Sequence, residues 1–133
     1  MATVNNLLLQ KGKEVWSVQA GSSVRETLKL MEEKNIGAVL VMENQKIVGI
    51  VSERDYARHA SRRNAMLLDE PIVTLMTHSV YYVSPTQTVE EVMALMTSKK
   101  IRHLPVMDNE RLVGLISIGD VVKQIMSDKE TTI

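Results

Sequence analysis

Gly49-Ile50-Val51-Ser52-Glu53-Arg54-Asp55 recurs as Gly114-Leu115-Ile116-Ser117-Ile118-Gly119-Asp120, 65 positions further along the chain. The register holds without a gap from residues 15–58 onto residues 80–123. Of these 44 pairs 15 are identical, and others are conservative, such as Lys46 with Arg111 and Ile47 with Leu112. A fixed period of this kind marks an internal repeat. Neither copy is large enough to bury a core alone, so the two are expected to pack on each other. Their special residues then fall near the seam.

Around these segments each repeat reads strand, helix, strand, strand, helix. In the first copy residues 15–18 make a short strand. Ser23 with Glu26 has capping-box spacing for the next helix. Val24, Leu28 and Met31 mark one helical face, and Asn35 or Gly37 stops it. Residues 38–42 are almost wholly apolar, as in a strand covered on both faces. Glu43-Asn44-Gln45 makes a tight turn, residues 46–51 return as a strand, and Ser52 opens a helix to about Arg63. The second copy follows the plan. Residues 80–83 form a strand, Thr88 and Glu91 a capping box, and Val89, Met93 and Met96 the apolar face. Residues 104–107 and 111–116 flank the turn Asp108-Asn109-Glu110, and a last helix runs over about 118–126. Short helical turns precede the copies at residues 4–9 and 71–76, with Pro71 suited to a helix start. Residues 62–70 connect the copies, and residues 127–133 read as a polar, frayed tail.

Composition narrows the function. A chain of 133 residues is a single domain by length, and 44% apolar content predicts an ordinary core. Phe is absent, so aliphatics and nine Met fill it. Net charge is zero without a block of like charge, which gives nucleic-acid or membrane-surface binding no electrostatic support. There is no Cys, hence no disulfide and no thiolate metal site. The apolar run Leu7-Leu8-Leu9 is too short for a signal peptide or a membrane span, so a cytoplasmic protein with no attached effector domain is the expectation.

The paired Gly-h-h-Ser-x-x-Asp segments resemble those of a tandem pair of CBS domains, the Bateman module. So do the Val-Met-x-Asn turns at residues 41–44 and 106–109, and Ile101-Arg102-His103-Leu104-Pro105-Val106. The resemblance is to the small stand-alone bacterial pair. It implies an α+β fold of two β-α-β-β-α repeats related by a pseudo-two-fold axis. On that reading residues 1–133 are one CBS-pair module, with repeat 1 at about 4–63 and repeat 2 at about 71–127. It also implies a regulatory sensor rather than an enzyme, without a catalytic cofactor. The clefts between the repeats would take an adenine nucleotide (AMP, ADP, ATP or NAD(H)) or a related adenosyl ligand. The module would form a homodimer and signal to a protein partner.

The residues suit such a ligand. Asp55 and Asp120 fall in the first turn of a helix, and an ionised carboxylate is acceptor-only, matching the two hydroxyl donors of a ribose diol. Ser52 and Ser117 stand at the helix start, where free backbone N–H groups favour an anion. Arg54, Arg58, Arg102 and His103 supply compensating charge for phosphates. By resemblance Arg102 and His103 reach across the seam. Val18, Ile36, Ala38 and Val51 would hold the adenine in one cleft, and Val83, Ile101 and Ile116 in the other. Backbone groups at Ala38 and His103 would read the adenine edge. The cations are uneven: Arg54 is matched by Gly119, and Gly37-Ala38 by Arg102-His103. The cleft around Ser52 and Asp55 is therefore expected to be the tighter one for a phosphorylated ligand.

Blander readings compete. Ser-x-x-Asp after a strand is often only a helix start with an acidic first turn. Gly49 and Gly114 can serve backbone packing alone. Met31, Met93 and Met96 read as core or dimer contact, and Val121, Val122, Ile125 and Met126 as a dimer contact on the last helix. His59 and His78 have no partner at metal-ligand spacing and read as surface residues; no metal site is expected. Phosphate-loop, dinucleotide, zinc-protease and nucleophile-elbow motifs are missing. The alternative to a sensor is a constitutive protein-interaction or dimerisation module with vestigial clefts. A weak nucleotide-processing enzyme is a further rival.

Overall fold

A computed structural model of the chain describes residues 2–63 and 67–131. Its elements are α1 (Val4–Lys11), β1 (Ser17–Gln19), α2 (Val24–Lys34), β2 (Ala38–Glu43), β3 (Lys46–Ser52), α3 (Glu53–Arg63), a 3-10 turn at Ile72–Thr74, α4 (Val89–Lys99), β4 (His103–Asp108), β5 (Arg111–Ser117) and α5 (Ile118–Thr131). Contacts divide the chain into two compact units. One comprises Trp16–Val80; the other joins residues 2–15 to residues 81–131.

In the unit Trp16–Val80, β1 pairs parallel with β2 and β2 antiparallel with β3. Ser23 caps α2 through the expected box: its side chain accepts from the Glu26 N–H at 3.1 Å, and Glu26 Oε1 accepts from the Ser23 N–H at 3.2 Å. Asn35 closes the helix in the left-handed conformation, φ 53°. Residues 38–41 are all buried, as a strand covered on both faces requires. Val24, Met31, Val39, Val41, Val51, Leu67, Ile72 and Leu75 form the core.

In the other unit, α1, α4 and α5 accompany the hairpin β4–β5. Thr88 and Glu91 repeat the capping box at α4. The core holds Val4, Leu7 and Leu8 of α1 with Val83, Val89, Val92, Met96, Leu104, Val106, Ile116 and Val121. The leading helix thus packs with elements that follow it by some eighty positions or more, a placement that local patterning does not contain. Met31 and Met96 are core residues, and Met93 packs against the core.

Two expectations need correction. Residues 80–83 do not form a strand; a single parallel bridge, Val83 with Val106, stands where the first unit has the β1–β2 ladder. The reason is proline. In the first unit the Leu40 N–H donates to Trp16 O at 3.2 Å and the Ala20 N–H to Met42 O at 3.0 Å. The residues 65 positions on from these donors are Pro105 and Pro85, which carry no N–H. Only the two inner bonds survive, Val83 N–H to Pro105 O at 3.1 Å and Met107 N–H to Val83 O at 2.8 Å. The last helix is also longer than expected. It runs to Thr131, through the residues from 127 onward that the polar composition marks as a frayed tail. No Gly or Pro interrupts residues 120–131, and the Gln124 amide donates to Asp128 at 3.0 Å one turn on. Residues 132 and 133 lie outside the described residues, as do residues 64–66 of the connector.

Candidate functional site

Both repeats end their hairpin at a serine and turn at once into a helix. In the first, β3 ends at Ser52 and α3 begins at Glu53. The Ser52 side chain accepts from the Asp55 N–H at 3.2 Å, while Asp55 Oδ2 accepts from the Ser52 N–H at 2.8 Å and from its hydroxyl at 3.0 Å. This is capping-box reciprocity with aspartate at the third helical position. The hairpin register sets Ala38 opposite Ser52, and Gly37 O accepts from the Glu53 N–H at 3.1 Å. The segment around residue 37 is thereby held at the N-terminus of α3, where backbone donors and the helix dipole favour negative charge. Arg54 and Arg58 are exposed on α3, and Asp55 is half-buried.

The second motif repeats this geometry. Asp120 Oδ2 accepts from the Ser117 N–H at 2.8 Å, and Ser117 Oγ from the Asp120 N–H at 3.1 Å. His103 lies opposite Ser117 in the hairpin, and Arg102 O accepts from the Ile118 N–H at 2.8 Å. One feature has no counterpart among the described residues of the first motif. Lys11, the last residue of α1, donates from Nζ to Asp120 Oδ2 at 2.6 Å and to Leu115 O at 2.5 Å. Burial pushes the Asp120 carboxyl up, but Lys11 and Ser117 outweigh it and hold the group below its ordinary value. Sequence reading missed Lys11, whose partners lie more than a hundred positions away.

The other expected site residues divide by burial. Val51, Val83 and Ile116 belong to the cores, and Ala38 is buried. Val18, Ile36 and Ile101 are half-buried against those cores. Arg102 and Gly119 line an open, mainly apolar depression of about 860 Å³ with Val122, Lys123 and Met126 on α5. Arg102 and His103 belong to a different unit from Ser52 and Asp55. Gly49 and Gly114 have a packing role. A Cβ at Gly49 would stand 2.8 Å from Met76 Cγ and 3.0 Å from Thr77 O; one at Gly114 would meet Leu8 Cδ2 at 2.6 Å. Among the described residues, no group of three His, Asp or Glu is placed to hold a metal ion, and no helix is long and apolar enough to cross a membrane.

The CBS domain family model matches residues 12–62 and again 72–127, and the chain belongs to the CBS-domain family. Its fold is that of a CBS pair. A CBS-domain protein from Burkholderia ambifaria is 43% identical, covering 96% of both chains with a TM-score of 0.90. A mitochondrial CBS domain-containing protein of Arabidopsis thaliana is 31% identical over 95% of this chain, which spans 66% of that protein's length. The CBS domain pair of protein MJ0100, solved in complex with 5′-methylthioadenosine and S-adenosyl-L-methionine, is 25% identical. It covers 93% of this chain and 99% of that one, with a TM-score of 0.80.

Proposed function

We propose that this chain is a regulatory module that binds an adenine nucleotide (AMP, ADP, ATP or NAD(H)) and catalyses no reaction. The carrying observation is the Ser–Asp constellation built twice at a strand-to-helix junction, with a carboxylate oxygen beside a helix N-terminus. A carboxylate accepts a ribose diol, and the helix N-terminus with Arg54 and Arg58 favours phosphate. The adenosyl ligands of the MJ0100 domain pair support this ligand class. In the proposed mechanism, Arg102 and His103 add charge to the Ser52–Asp55 motif from the other repeat, with Val18, Ile36 and Ala38 beneath the adenine. The ligand favours one arrangement of the repeats of a cytoplasmic homodimer and thereby signals to a protein partner. Such a shift requires that it bind that arrangement better than others.

The competing reading is a constitutive interaction module. It draws on the same hydrogen bonds, since each Asp already caps its own helix. A thermal-shift panel of AMP, ADP, ATP, NAD, NADH and S-adenosylmethionine separates the two. A ligand at about 100 times its Kd stabilises by roughly 2.7 kcal/mol, on the order of 5–15 °C for a domain of this size. A shift with a phosphorylated adenosine that disappears in Asp55→Ala supports the sensor. A flat panel on protein shown by mass spectrometry to carry nothing bound supports the interaction module.

A further inference from the structure

We infer that Lys11 closes the second Ser-x-x-Asp motif to a ribose, so that the chain offers one adenosine-binding carboxylate, Asp55, rather than two. The inference rests on the proposed reading of these aspartates and adds which of them is open.

Position is the first argument. Lys11 ends a helix whose Leu7 and Leu8 are buried in the core of the unit that carries Asp120. Leu8 sits directly over Gly114, three residues before Ser117. The helix end is thus anchored beside the motif, and the backbone of Lys11 is already in place before its side chain is ordered. Two acceptors then converge on Nζ, Asp120 Oδ2 and Leu115 O.

Chemistry is the second. A ribose hydroxyl bonding to Asp120 Oδ2 competes with a charged donor already there. Both bonds are charge-assisted, but only the ammonium adds the attraction of a full opposite charge, at 2.6 Å. A neutral diol that displaced Lys11 would also leave the ammonium without its counter-charge. The carboxyl's depressed proton affinity agrees with a tight internal partner.

The first repeat supplies the contrast. The Val4 N–H donates to Gln87 O and the Ile72 N–H to Ser22 O in the same way, which makes Met76 the counterpart of Leu8. Met76 packs on Gly49, and the Asp55 carboxylate accepts only from Ser52 among the described residues.

Isothermal titration of AMP into the full chain tests this. The unaltered protein should bind one AMP per chain, and Asp55→Ala should weaken that binding at least tenfold. Lys11→Met, which removes the cation and keeps an unbranched side chain, should restore AMP binding in the Asp55→Ala background. Lys11→Arg in that background should not, because the cation remains; a purely structural role for Lys11 gives no such split. Two AMP per chain in the unaltered protein overturns the inference. So does a Lys11→Met/Asp55→Ala protein that stays empty while Lys11→Met alone still binds AMP. No binding by any protein, the unaltered one included, discards the nucleotide reading and this inference together.

Discussion

Leu8 lies so close over Gly114 that a Cβ on the glycine would stand 2.6 Å from Leu8 Cδ2 and 3.2 Å from Cδ1. Leu8 is almost fully buried, so its side chain has little room to retreat. Gly114→Ala should therefore destabilise by overpacking, at about 1–3 kcal/mol. Leu8→Ala in the same chain should return part of that loss, because the removed methyls are those the new Cβ strikes. Urea unfolding of both single variants and the double variant measures the coupling; strictly additive effects would sink the overpacking account.

The Lys11–Asp120 pair makes a signed prediction about pH. The Asp120 carboxyl sits below its ordinary value of 3.8 in the folded chain. Its contribution to stability is complete above that value and is lost as pH falls through the lower, folded one. In Lys11→Met, burial faces only the Ser117 bonds. The carboxyl should then titrate at higher pH, and acid unfolding should begin earlier. At neutral pH the cost should be about 1 kcal/mol or less, because the pair is partly exposed. A carboxyl NMR titration reads this directly, and an unchanged Asp120 curve would count against the pair.

Asp55→Asn separates cap from ligand. Asparagine retains an oxygen that can accept from the Ser52 N–H, so the start of α3 should survive with a loss below about 1 kcal/mol. The negative charge facing the proposed ribose is gone, and AMP should bind at least tenfold more weakly. Unfolding by urea checks the first half and calorimetric titration the second. Weakened folding with unchanged affinity would assign Asp55 to the cap alone.

Both hairpins turn on two residues with positive φ: Asn44 at 51° and Gln45 at 63°, Asn109 at 49° and Glu110 at 68°. This is the geometry that favours Asn-Gly. Gln45→Gly and Glu110→Gly should each stabilise, by up to about 1 kcal/mol, the relief of left-handed strain outweighing glycine's entropy cost. A fall in urea midpoint in both variants would refute this.

Much of the candidate site is legible in the sequence because its hydrogen bonds are local. A serine and an aspartate three positions apart, after an apolar strand, specify a cap within one helical turn. The sequence also carries the signal against a strand at residues 80–83. Pro85 and Pro105 stand where the first repeat has ladder donors, and that is sufficient to reduce residues 80–83 to a bridge. The polar residues after Met126 mimic a helix end, yet α5 continues through them because no helix breaker is present.

The repeat, its register, the caps, the turns and the family are all written in residue identities, within a few positions or through the 65-residue period. That α1 joins the core of the unit holding the second repeat's strands and helices follows from long-range packing alone. That packing carries Lys11 onto Asp120 across 109 positions. Local propensity can announce that a helix forms and which face is apolar. Which distant core receives that face is set by long-range burial, and the charge at the helix end is delivered there with it.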